Sequence, residues 1–428
     1  MTQLREVFGV GRDTPANYVE RTDVDNALIA NLSRDKHVVI YGSSKQGKTT
    51  LRKHCLQEDD SIVVSCLNTM TLEKLNGAIL KKAGFRIEQT QVKTVGGSWK
   101  YGLEFKGEGK IPLLASASGA GTVERETNDQ TETSSTRLEI DLTDVNDVIA
   151  ALRSIKFTKF IVLEDFHYLP VEVQKEFSFA LKAFHENSSI CFVIVGVWRE
   201  KNRLIYYNGD LTNRVASIDV DIWPDASLLK VLTNGETILN VEFDDTTKRS
   251  LIEHSANSVS LLQEACYRIC EQEGISATQS TKRVVGKDCD IPLLMKTIVD
   301  DQGGRYAAFI SNFAEGFQQT EYDMYRWLIF VVLSVPLTEL ETGIRRNVFS
   351  TKIKSRHSAG NQLNEGNITQ ALQSAASLQV TKNIRPIIID YDQTTRVLNV
   401  VDRSFLVWLK YQDRKQLLSE MGIEEEVS

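Results

Sequence analysis

The residues best suited to chemistry lie at 42–49, which read Gly42-Ser43-Ser44-Lys45-Gln46-Gly47-Lys48-Thr49. Glycines at both ends of the turn let backbone amides point inward around phosphate oxygens. A helix beginning at Lys48 adds its unsatisfied N–H groups and the positive end of its dipole. In such a loop Lys48 is expected to reach the β- and γ-phosphates of ATP, Thr49 to ligate Mg²⁺, and Thr50 to lie beside them. The second constellation is Phe160-Ile161-Val162-Leu163-Glu164-Asp165-Phe166-His167, an apolar run ending in two adjacent carboxylates. Carboxylates at the end of a buried strand are costly unless a cation or polarised water meets them. Glu164 is expected on the metal side, Asp165 as the base that polarises the attacking water. The pair's other reading is a cap for the helix that follows.

These groups need elements to hold them. His37–Tyr41 reads as a strand before the loop and Lys48–Leu56 as the helix after it. Strands follow at Ser61–Leu67, Phe160–Leu163 and Ile190–Val195, with helices predicted over Leu72–Ala83, 143–155 and 171–186. Strands alternating with helices spell a doubly wound α/β domain, with its site at the C-terminal ends of the strands. Residues 86–136 interrupt the pattern. The alternation in Ser98–Phe105 predicts a hairpin, and the polar tract 122–136 lacks large apolar residues, so residues 119–136 are expected to be dispensable for ATP binding. Residues 223–275 read as a wholly helical lid, 276–305 as a linker, 306–416 as a mixed α+β domain ending in a strand pair, and 417–428 as a tail.

Several segments resemble the AAA+ ATPases of the origin-initiator and STAND group. Asn17-Tyr18-Val19-Glu20-Arg21 is similar to the box that borders the base in that group, which implies that Tyr18, Val19 and Arg21 flank the adenine. Gly196–Arg199 falls in the sensor 1 region without its usual Asn or Thr. Asn208–Arg214 looks like the arginine-finger region. The resemblance implies that Arg214 contacts a neighbouring subunit's phosphate, with Arg199 and Arg203 as rivals. Trp223-Pro224-Asp225 is similar to the opening of an AAA+ lid. Ser258–Gln263 lies where sensor 2 falls and lacks the family's arginine, Arg268 coming two turns too late. That departure, and the Glu–Asp order at 164–165, fit a slow switch better than a motor.

The C-terminal region resembles a winged helix, with Glu321–Leu333 as first helix, Asn367–Leu378 as third and the strand pair as the wing. Such third helices enter the DNA major groove. Gln370 and Gln373 would read bases, and Arg345, Arg346, Lys352, Lys354 and Arg356 would meet phosphates. The region 345–415 carries a net charge of +7, from twelve Lys/Arg and five Asp/Glu, in a chain of net charge −7. The remaining residues therefore sum to −14, which excludes a chain that coats nucleic acid over its whole surface.

Of 428 residues, 42% are hydrophobic and 25% charged, as in an ordinary globular protein. The longest apolar run, Trp327–Leu333, is too short to span a bilayer and reads as a buried helix. Six cysteines without CxxC pairing read as free thiols in a cytoplasmic protein without membrane contact. Two functions fit. One is an ATP-driven switch of signalling or antiviral-defence type that assembles with itself and docks a partner protein. The alternative is a DNA-engaging AAA+ ATPase of initiator or transposition-regulator type.

Overall fold

A computed structural model describes residues 1–423 except 12, 94–98, 106–136, 222 and 318–321. The polar tract 122–136 and the proposed deletion 119–136 lie outside the described residues, as do Ser98 and Glu321.

Five strands, β1 (His37–Gly42), β2 (Ser61–Ser65), β3 (Phe160–Glu164), β4 (Phe192–Val197) and β5 (Val215–Asp219), form a parallel sheet in the order β2-β3-β4-β1-β5. Side chains alternate between its faces, and both faces are covered. Val38, Ile40, Val162 and Val193 pack with Leu28 and Leu51 of helices Thr22–Leu32 and Lys48–Cys55. Val39, Tyr41, Ile161 and Ile194 meet Leu75, Leu152 and Phe177 on the other side. That double burial is why these strands read as unbroken apolar runs.

The insert is larger than the hairpin expected. Phe85–Lys93, Trp99–Phe105 and Arg137–Asp141 form a three-stranded antiparallel sheet, with Leu103 fully buried opposite Leu138.

The lid holds helices Asp225–Leu239, Asp245–His254 and Val259–Gln272, but it is not wholly helical. Strand Val241–Phe243 pairs in parallel with Arg283–Val285, from the segment expected as a linker. That segment also forms helix Ile291–Asp300, capped by Asp290 and burying Ile291, Leu294, Met295, Ile298 and Val299. Pro292 lies in its first turn, where proline favours a helix start. A single apolar core joins Leu4, Val7 and Phe8 at the N-terminus to the lid, to this helix and to the C-terminal region.

The C-terminal region runs helix Met324–Ser334, strand Ile344–Arg345, helices Arg346–Arg356, Glu365–Gln373 and Ala375–Thr381, then strands Ile389–Asp392 and Val397–Val400. Val397–Val400 lies centrally, between Ile344–Arg345 and Ile389–Asp392, all antiparallel. The helix expected over Asn367–Leu378 is two helices meeting at Ser374. Met324–Ser334 is buried, as its apolar run required. No helix among the described residues is long and apolar enough to cross a membrane. All six cysteines are free thiols.

Candidate nucleotide site

The loop 42–49 leaves β1 at its C-terminal end and enters helix Lys48–Cys55 through Gly47, which is left-handed at φ 85°. Gly42 has φ 147°, and a Cβ there would lie 2.8 Å from Val220 Cγ2 and 2.9 Å from Asp221 Oδ1, so only glycine fits. Asp221 fixes the next residue, accepting from the Ser43 amide at 2.6 Å and the Ser43 hydroxyl at 2.7 Å. The first-turn amides of the helix have no partner within it and open towards any anion held by the loop. Lys48 is buried, its Nζ donating to the carbonyls of Gly42 at 3.0 Å and Ser43 at 2.5 Å. Burial brings its pKa down to about 8, against the pull of Asp221, Asp165 and Glu164.

The end of β3 meets this loop. Thr49 Oγ1 lies 3.3 Å from Glu164 Oε2, and Arg52 Nε donates to Glu164 Oε1 at 3.1 Å. Burial raises the Glu164 pKa, while Arg52 and Thr49 oppose the shift. A hydroxyl and a carboxylate oxygen converging beside a phosphate loop suit Mg²⁺, which takes few protein ligands and completes its shell with phosphate and water. Asp165 takes up φ 57° and turns away from Glu164 into the cleft. Its pKa is raised by desolvation, which Lys48 opposes.

Lys45, Gly47, Lys48, Thr49, Thr50, Ser44 and Asp165 wall one cavity, joined by Gly9, Val10, Gly11, Asp13 and Pro15 from the N-terminal segment. Val259, Ser260 and Gln263 of the lid complete it, and the Gln263 Oε1 is buried without a hydrogen-bond partner. Tyr18, Val19 and Arg21 are not among the residues walling the cavity. Tyr18 donates to Asp25 at 2.6 Å, Val19 is buried in the core, and Arg21 donates to the Val220 carbonyl and lies over the Trp223 ring. Gly9, Val10, Gly11, Asp13 and Pro15 line the cavity instead of the box at 17–21. Gln46 is turned to the lid, its amide meeting the carbonyl of Asn257 at 2.9 Å and the N–H of Val259 at 3.4 Å.

The arginines separate by role. Arg199 donates to the Glu341 carbonyl and lies 3.6 Å from Asp221. Arg203 is buried between Glu200, at 3.2 Å, and Asp390, at 2.5 Å. Both thus tie the core to the C-terminal region. Arg214 precedes β5, and its carbonyl accepts from His37 at the start of β1, the end of the sheet opposite the phosphate loop. Its guanidinium meets Glu186 at 2.8 Å and the Asp210 carbonyl.

Sequence reading missed Arg52, Asp221 and the approach of the C-terminal region. The Ser44 amide donates to the Val401 carbonyl at 2.7 Å, and Pro386 walls the cavity. Val197 packs with Val380, Ile387 and Val401. Arg52 was open to discovery, since it sits one turn from Thr49 on the same helix face. In the basic cluster, Arg346 and Lys354 both bond Glu365, at 2.7 Å and 2.6 Å, while Arg345 and Arg356 are exposed.

No family model matches the chain, and no curated protein matches it in sequence. Among solved structures, a Walker-type ATPase of Pyrococcus abyssi aligns over 94% of this chain and 99% of its own, with a TM-score of 0.51 and 13% identity. The Orc1 protein of Aeropyrum pernix, solved in complex with DNA, aligns over 96% of each chain, with a TM-score of 0.42 and 11% identity. Cdc6p from Pyrobaculum aerophilum aligns over 98% of this chain and 99% of its own, with a TM-score of 0.40 and 12% identity. The sheet order, the phosphate loop after β1 and the acidic end of β3 give the chain a P-loop, doubly wound α/β fold. The likeness to the Pyrococcus protein is a likeness of that fold.

Proposed function

We propose that the chain is an ATP-binding, slowly hydrolysing AAA+ switch, and that its C-terminal region is a winged helix held against the nucleotide site. The carrying observation is the hydrogen bond from the phosphate-loop amide of Ser44 to Val401, just beyond the C-terminal hairpin. A ligand that reshapes the loop must act on that contact, so nucleotide state and module position are coupled. In this reading the loop amides and Lys48 hold the phosphates, Thr49 and Glu164 hold Mg²⁺, and Asp165 orients and polarises water. Mg²⁺ supplies neutralisation of charge on the β- and γ-phosphates. A neutral Gln263 in place of a cation at the lid face gives no extra stabilisation to transferred charge, which favours slow turnover. The moved module would expose surface for self-assembly and for a partner protein of signalling or defence type.

The test is hydrogen exchange with and without Mg–ATP. Backbone amides at 386–401 should change protection in the native chain and not in Lys48→Ala, which should no longer bind ATP. Unchanged exchange at 386–401 with ATP bound defeats the coupling.

A second reading is DNA engagement, supported by the exposed Gln370 and Gln373 on helix Glu365–Gln373 and the charge of +7 over 345–415. Glu365, which takes up Arg346 and Lys354 at the start of that helix, places it second. Binding that weakens steeply as salt rises would reverse the order.

A further inference from the structure

His167 lies two residues beyond Asp165 and is buried. Its Nδ1 accepts the N–H of Val197, at the end of β4, at 3.2 Å. The ring sits 4.1 Å from that of Tyr168, and both walls belong to the cavity lined by Lys48, Thr49 and Asp165. Desolvation keeps the imidazole neutral, with Lys48, Arg203 and Arg385 adding to the effect. A neutral ring whose Nδ1 is an acceptor carries its proton on Nε2. That Nε2 is buried and has no hydrogen-bond partner. A buried N–H donor lacking an acceptor is a feature that needs a reason.

We propose that His167 Nε2–H is a binding donor for an oxygen of the terminal phosphate of a nucleoside triphosphate, so that His167 distinguishes tri- from diphosphate. This rests on the nucleotide reading above. The ring lines the same cavity as Lys48 and Asp165, the groups that the nucleotide reading sets at the last phosphate. Its partner Val197 packs directly on Val380, Ile387 and Val401 of the C-terminal region. The donor therefore joins the ligand's last phosphate to the junction with that region through one imidazole.

Binding of ADP and of the β,γ-imido analogue of ATP, each with Mg²⁺, should be compared calorimetrically in the native chain, His167→Phe and His167→Gln. The phenylalanine keeps the ring and removes the donor, whereas the glutamine offers an amide N–H. His167→Phe should weaken the analogue roughly ten- to a hundredfold, the range for a hydrogen bond to a charged group, with ADP changed less than about twofold. His167→Gln should recover most of the loss. Equal weakening of both ligands, or of neither, overturns the proposal. Should the phenylalanine variant fail to fold, ¹⁵N spectra of histidine in the native chain decide: the His167 Nε2 resonance should shift with the analogue and not with ADP, and identical shifts overturn it. A native chain that binds neither ligand overturns the nucleotide reading itself.

Discussion

Arg52 holds its Nε 3.1 Å from one oxygen of Glu164, while Thr49 stands 3.3 Å from the other. The carboxylate that ends β3 is thereby turned towards Thr49 and Arg52, and Asp165 is left as the group facing the cleft. Asp165→Asn is expected to retain ATP and lose turnover by about 10²-fold or more, the contribution typical of a positioned base. Glu164→Gln should instead weaken Mg²⁺-dependent ATP binding. Full turnover in Asp165→Asn, measured as phosphate release, would reverse or remove these roles.

Arg203→Ala should loosen the C-terminal region. It leaves Asp390 buried without its cation, a loss of about 3–5 kcal/mol for a broken buried pair. Denaturant unfolding should show the loss, and limited proteolysis should cut near 381–401 faster than in the native chain. Equal stability would mean that the pair contributes nothing at this junction.

Stability should fall in acid through His37. Its Nε2 meets the Leu181 carbonyl and its Nδ1 accepts from Phe192, so the buried ring fits only when neutral, and burial brings its pKa to about 3 from 6.5. The unfolded chain binds the extra proton, so stability is complete above about pH 6.5 and declines as pH drops towards 3. Between pH 7 and 5 the loss is on the order of 2 kcal/mol. In His37→Gln the difference in stability between those two pH values should shrink by a similar amount; an unchanged difference would exonerate His37.

Arg214 stands at the end of the sheet opposite its own phosphate loop, so any phosphate it meets belongs to another subunit. A guanidinium supplied in trans is worth ~10³–10⁵ in the rate of phosphoryl transfer. Lys48→Ala and Arg214→Ala chains should each be inactive alone and regain part of the ATPase rate when mixed. Absence of rescue at any ratio, with a monomeric ATP-bound state in light scattering, excludes both the finger and the assembly.

The phosphate loop, β1, β3 and the buried helix at 324–334 were legible because their signals are local: glycine spacing and apolar runs that double burial demands. What escaped the reading joins distant parts of the chain. Nothing near Asp221 announces that it will bind Ser43, and nothing near Pro386 points to the nucleotide cavity. Helix Ile291–Asp300 lies within the stretch read as a linker, although Pro292 in its first turn and the apolar Leu294, Met295 and Ile298 suit a helix. Tyr18 and Arg21 were assigned by resemblance, and their bonds to Asp25 and Val220 turn them elsewhere.

The apolar core shared by Leu4–Phe8, the lid and the C-terminal helices means that the molecule does not divide where its chain does. One half is a sheet domain carrying the phosphate loop; the other is clasped from both ends of the sequence, with Gly9, Val10, Gly11, Asp13 and Pro15 lining the cavity. The cavity is a seam between those halves. A ligand there acts as a rivet, and a truncation anywhere between 276 and 305 would tear one half open rather than release an independent module.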